Sequence, residues 1–135
     1  MDVKKIIYPI FEGTVAHGFK IGETLGFPTA NIEVATENIP QDGVYIVQIQ
    51  INDAFFYGMM SIGNRPTFNA AKKTIEVHLL NFSGDLYQQN LSIKPLSYIR
   101  KNRKFDNLEL LKQQLQKDKN LALQYAKNEN SSFDG

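Results

Sequence analysis

The chain has 135 residues, 42% apolar and 11% aromatic, with fifteen basic against fourteen acidic side chains and a net charge of +1. That length fits one domain, able to bury roughly two-thirds of its unfolded surface and so to form a core without metal or disulfide support. Balanced charge argues against a nucleic-acid binder, absent cysteine excludes disulfides and thiolate chemistry, and two histidines cannot build a three-histidine metal centre.

Apolar runs are only a few residues long, far short of the ~20 that cross a membrane. The first twelve residues place Asp2, Lys4 and Lys5 ahead of Ile6-Ile7-Tyr8-Pro9, which is no secretory signal. The expectation is a cytoplasmic protein with no membrane partner. Residues 1–135 are expected to form a single domain, its core about 9–126 and residues 127–135 a frayed tail.

In chain order, Phe11 to His17 reads as a first strand. Gly43 to Ile51 alternates, with Tyr45, Val47, Ile49 and Ile51 on one face, and predicts a half-buried strand. Asn52-Asp53 suits a tight hairpin turn, and Ala54 to Ile62 is the returning strand. Thr74 to Leu80 opposes Ile75, Val77 and Leu79 to Glu76, His78 and Leu80. Leu91 to Ile99 is a further strand, in which Pro95 marks an edge or a bulge. From Asp106 the apolar period becomes helical. Asp106 with Glu109 makes a capping-box pattern, and Phe105 and Leu110 take the staple positions around it. Leu108, Leu111, Leu115, Ala122 and Ala126 line one side of the helix, while Lys117 to Asn120 is expected to kink or divide it. Several short strands followed by a helix predict an antiparallel barrel or sandwich with the helix against it.

The densest chemical signal runs from Gly13 to Asn31. Its glycines Gly13, Gly18, Gly22 and Gly26 let the backbone bend and bring amides near an anion. Phe19-Lys20 stands where a P-loop has Lys-Ser/Thr, and no long helix follows as a dinucleotide fold requires. Spacing alone favours glycines in tight turns. Behind Pro28, Thr29 and Asn31 share one side of an extended segment and offer two neutral oxygens for Mg²⁺, completed by nucleotide phosphates. Hydrogen bonds back to the loop backbone account for the bare tetrapeptide at least as well. Glu76 is a carboxylate among Ile75, Val77 and Leu79, placed to act as a base if desolvated. For an isolated glutamate a solvated strand position is the ordinary outcome. His78 reads as a hydrogen-bonded structural histidine. Arg100-Lys101-Asn102-Arg103-Lys104 is the strongest local charge cluster; such a run can face phosphate, although a solvated turn is its default.

Together these segments resemble the riboflavin kinase family, a domain that bacteria often carry within a bifunctional riboflavin kinase/FMN adenylyltransferase. The matching residues are Gly13-x-Val15-x-x-Gly18-x-x-x-Gly22-x-x-Leu25-Gly26-Phe27-Pro28-Thr29-Ala30-Asn31 and Pro40-x-x-Gly43-Val44-Tyr45. They continue through Gly58-x-x-Ser61-Ile62-Gly63-x-x-Pro66-Thr67-Phe68, Ile75-Glu76-Val77-His78-Leu79-Leu80, Asp85-Leu86-Tyr87 and Ile99-Arg100-x-x-x-Lys104-Phe105. The resemblance implies a mainly β fold, a six-stranded antiparallel Greek-key barrel with the C-terminal helix packed outside. It also implies transfer of the ATP γ-phosphoryl group to the riboflavin 5′-hydroxyl, giving FMN and ADP.

Carried over by residue, Thr29 and Asn31 would hold Mg²⁺ with ATP, and the loop holding Gly18, Gly22 and Gly26 would cover the nucleotide. Glu76 would be the general base. Tyr87, Arg100, Lys104 and Phe105 would lie near the flavin. Asn81, Gln88 and Asn102 depart from the family's common Asp, Gly and Glu. The adenylyltransferase motifs are absent, so these 135 residues alone are not expected to make FAD. An FMN adenylyltransferase domain would be a partner if they are an excised half of a bifunctional enzyme. The competing reading is a non-catalytic flavin- or nucleotide-binding barrel, which would have no need of a base. A barrel that binds nucleic acid would need a basic stripe with exposed aromatics, which the sequence lacks.

Overall fold

The computed structural model describes residues 8–16, 26–34, 39–66, 71–82 and 86–133. Six strands form a closed antiparallel barrel: β1 (Phe11–Ala16), β2 (Ala30–Glu33), β3 (Gly43–Ile51), β4 (Ala54–Pro66), β5 (Ala71–Leu79) and β6 (Asn90–Arg100). A helix, α1 (Leu108–Phe133), follows them. Around the barrel the order is β1-β2-β5-β4-β3-β6. The β3–β4–β5 meander with β6 returning beside β3 is a Greek key. Closure leaves no unpaired sheet edge.

Alternation along each strand separates two apolar layers. Phe11, Val15, Ile32, Tyr45, Val47, Ile49, Met60, Ile62, Ile75, Val77, Leu91 and Ile93 fill the interior. A second cluster of Phe27, Ile46, Met59, Leu80 and Ala122 lies outside the barrel, under α1. Val44 and Ile46 therefore face the helix side, which makes β3 buried on both faces over its first half. Further along, Gln48 and Gln50 return the outer face to water.

The hairpin turn forms at Asn52-Asp53, where Asn52 takes a φ of 53°, a left-handed conformation that asparagine tolerates. Pro95 sits at a bulge. Ile46 pairs with Ser97 and Val47 with Pro95, leaving Leu96 extra; Val44 pairs with Arg100 and Tyr45 with Tyr98, leaving Ile99 extra. Both extra side chains pack against the outer cluster, so the bulges aim them at α1.

The C-terminal region departs from expectation in three ways. The helix cap is Asn107 rather than Asp106: the Leu110 amide donates to Asn107 Oδ1 at 2.9 Å. That register makes Leu110, not Glu109, the third helical residue, so no capping box forms, and Phe105 and Leu110 do not occupy staple positions. Leu108 is 59% exposed and stands off the apolar face. Lys117 to Asn120 neither kinks nor divides α1, which is continuous from Leu108 to Phe133. Asp118 is 1% exposed in mid-helix, with its carboxylate held by the Arg100 guanidinium. An ion pair satisfies the group that looked like a breaker.

Candidate active site

The site grows from strand register. Asn31 on β2 lies directly opposite Glu76 on β5, and Glu76 lies opposite Ser61 on β4. Ser61 pairs with Val44 on β3, which pairs with Arg100 on β6. Because Ile32, Ile75, Val77, Met60 and Ile62 all point inward, Asn31, Glu76 and Ser61 form a row on the outer face. Ala30 packs against the interior. The alternation carried back one residue puts Thr29 on the side of Asn31, and both are half-buried. Thr29, Asn31 and Glu76 are thus brought together from segments 45 residues apart. Among the described residues no three His, Cys, Asp or Glu side chains cluster as metal ligands. The hard oxygens available beside Glu76 are a hydroxyl and a carboxamide, a donor set suited to a cation that keeps phosphate oxygens and water as its other ligands.

Glu76 is half-buried, but its flanking residues do not desolvate it. Ile75, Val77 and Leu79 belong to the interior cluster and point away from its carboxylate. Its register neighbours on the outer face are Asn31 and Ser61.

His78, two residues along the same face, is 7% exposed. Its Nδ1–H donates to the Pro28 carbonyl at 2.7 Å, since a carbonyl only accepts. Its ring meets Phe27 edge-on at 5.7 Å between centroids. Burial pushes the imidazole below its ordinary pKa of 6.5; the Pro28 bond opposes that shift, and the nearby Lys119 charge adds to it. Neutral His78 therefore pins the backbone immediately before Thr29. This is the structural role that the sequence suggested.

The other site residues are spread more widely. Gly26 adopts a φ of 87° at the entry to Phe27, a conformation that favours glycine. Gly18 and Gly22 lie outside the described residues. Tyr87 belongs to a turn held on β1, where the Gln88 amide donates to the Val15 carbonyl at 2.9 Å. Gln88 has a φ of 68° and Asn81 one of 57°. The first explains why a glycine suits that position, and the second is a conformation that Asn and Asp both tolerate. Arg100 ends the outer row, three strands from Glu76. Its guanidinium makes three contacts with Asp118, at 2.7, 3.1 and 3.2 Å, and a fourth with the Lys101 carbonyl at 3.1 Å. Lys104 is exposed and Phe105 half-buried. The Arg103 guanidinium stands 5.2 Å from the Phe105 ring centroid.

Two residues escaped the sequence reading. Asp118 continues the spacing of Leu111, Leu115 and Ala122 on the buried face of α1, a signal that was present but masked by its charge. Asn102 donates through Nδ2 to the Ile62 carbonyl at 2.7 Å, and nothing local foretold that contact.

Residues 7–126 match the family model described as riboflavin kinase. The chain is 41% identical over 112 residues to a bifunctional riboflavin kinase/FMN adenylyltransferase of Haemophilus influenzae, covering 82% of this chain and 36% of that protein. A Bacillus subtilis protein of the same description is 38% identical over 121 residues, covering 87% of this chain and 38% of its own length. The chain therefore spans little more than a third of these relatives. Among solved structures, one described as a macrolide-efflux protein from Streptococcus pneumoniae superposes with a TM-score of 0.79 at 33% identity. That match covers 84% of this chain and 38% of the other. It supports the fold; the efflux role in its name is that protein's.

Proposed function

The chain belongs to the riboflavin kinase family, and we propose that its barrel transfers the γ-phosphoryl group of ATP to the 5′-hydroxyl of riboflavin. One observation carries this: Asn31 and Glu76 are register partners on an outer face where Thr29 also lies. The hydroxyl oxygen of riboflavin attacks the γ-phosphorus, and the bond from that phosphorus to the ADP oxygen breaks. The hydroxyl proton passes to the Glu76 carboxylate, leaving FMN and ADP. Such transfer asks chiefly for positioning and charge stabilisation, so backbone amides, a site for Mg²⁺ and one base on a rigid strand suffice.

Mg²⁺ fits the neutral oxygens of Thr29 and Asn31, and bound there with ATP it would offset charge on the phosphate oxygens. His78 holds Pro28 and so sets where Thr29 sits. Gly26 and the loop carrying Gly18 and Gly22 are assigned to the nucleotide. Tyr87 and the stretch from Arg100 to Phe105 are assigned to the flavin side. Within that stretch Arg100 serves through its buried pair with Asp118, and the flavin contacts fall to Lys104 and Phe105. We take residues 1–135 as one domain and place this chemistry in the cytoplasm. No helix among the described residues is long and apolar enough to cross a membrane.

A non-catalytic flavin- or nucleotide-binding barrel would have no use for a carboxylate opposite Asn31. The deciding experiment incubates the protein with riboflavin, ATP and Mg²⁺ and separates the flavins by chromatography. FMN and ADP are expected in equal amounts, with no FAD from these 135 residues alone. Binding of both substrates without FMN would favour the carrier reading. Thr29→Ala and Asn31→Ala are expected to abolish turnover while the barrel still folds.

A further inference from the structure

Leaving β6 at Arg100, the chain is three strands away from Glu76. It does not stay there. The Asn102 carboxamide donates to the Ile62 carbonyl at 2.7 Å, on β4. Ile62 is next to Ser61, the register partner of Glu76. A Cβ added at Gly63 would come within 3.4 Å of the same Nδ2, so the amide lies against the strand backbone. One hydrogen bond thus turns the segment back across β3 and moors it one strand from Glu76.

The two ends of the segment are anchored separately. On one side the Arg100 guanidinium grips Asp118, and Gln114 Nε2 donates to the same carboxylate at 3.0 Å. On the other, Arg103 Nη1 donates to Gln114 Oε1 at 3.4 Å, and its guanidinium covers the Phe105 ring. These anchors tie residues 100–105 to α1. Only Asn102, among the contacts described for this segment, ties it to the strand beside Glu76. A carboxylate at position 102 could not make that bond while ionised, because it has no proton to donate.

We propose that Asn102 is a positioning residue that docks the 101–105 segment on β4 before substrate arrives, so that the riboflavin side of the site is formed in advance. This rests on the riboflavin kinase reading of the site. A preformed segment spares the flavin the cost of ordering it, and the effect should therefore fall on flavin affinity rather than on nucleotide affinity.

The test compares wild type with Asn102→Ala and Asn102→Asp, whose side chains are at the surface and leave both apolar layers intact. Amide hydrogen exchange of the ligand-free protein reads the docking itself, and substrate titrations read its use. Loss of one such bond is expected to speed exchange over residues 101–105 and to weaken riboflavin binding by about tenfold. The KM for ATP and the thermal midpoint should stay close to wild type, and the Asp variant should be at least as impaired as the Ala variant. Unchanged exchange, unchanged riboflavin affinity, or equal losses for riboflavin and ATP would each overturn the proposal. A wild-type protein that binds no riboflavin would instead overturn the functional reading, and the positioning role with it.

Discussion

The barrel interior and the layer beneath α1 are both buried, yet they are built differently. The interior is filled by aliphatic side chains, methionine and aromatics, with Val47, Ile49, Met60, Ile62 and Ile93 fully enclosed. The outer layer mixes Phe27, Ile46, Met59, Leu80 and Ala122 with two buried polar groups, His78 and Asp118. Each has its partner: Pro28 for the histidine and Arg100 for the aspartate. Apolar packing has no preferred direction, whereas a hydrogen bond fixes one atom against another. The interior therefore holds the barrel closed, and the outer layer aims the pieces of the site.

That contrast can be pressed hardest at Glu76, which lies on the outer face and faces no interior residue. Glu76→Gln keeps shape and removes the proton acceptor, so single-turnover FMN formation should fall by roughly 10²–10⁴-fold. Calorimetric binding of ATP and riboflavin should change far less, because the base acts in the transition state. His78→Gln is the control on the same strand face and should slow turnover less. A larger loss at His78 would move the base there.

A direct contest between the layers sets Ile49→Ala against Asp118→Asn. The first opens a cavity and should cost about 2–5 kcal/mol in denaturant unfolding, with riboflavin affinity of the folded protein kept. The second strips the partner from a mostly buried Arg100 and should cost about 3–5 kcal/mol. It should also weaken riboflavin binding, since Arg100 immediately precedes the 101–105 segment. Equal effects of the two on the flavin would erase the distinction between the layers.

Buried His78 should also give the outer layer a signature at acidic pH. His78 has its folded pKa lowered by burial, so the unfolded chain binds a proton more readily. Stability is then fully present above the unfolded value near 6.5 and falls as pH drops from there through the lower folded value. Urea midpoints for wild type should decline across that acidic window, and those of His78→Gln should decline less. A wild-type profile no steeper than the variant's would mean that the ring is not buried neutral.

The smallest expected effect separates two candidate caps. Asn107→Ala should cost about 1 kcal/mol, and Asp106→Ala a fraction of that. The reverse order would restore the cap to Asp106 and start the helix one residue earlier.

These tests bear on different depths of legibility. The alternation at Tyr45, Val47, Ile49 and Ile51 and at Ile75, Val77 and Leu79 shows the strands and their inner face, because a period of two is written in consecutive residues. The hairpin at Asn52-Asp53 and the bulge near Pro95 are legible for the same local reason. Thr29, Asn31 and Glu76 can each be named as candidate site residues from motif and resemblance. What only the folded chain decides is that Asn31 and Glu76 are neighbours, since β2–β5 pairing joins segments that no local pattern connects. The cap shows the same limit at short range. Asp106 and Asn107 are both capable, and only the folded chain shows the Leu110 amide donating to Asn107 Oδ1. The partners of Asp118 and Asn102 lie beyond sequence reading, because a buried ion pair to β6 and a bond to a β4 carbonyl exist only once those strands are in place.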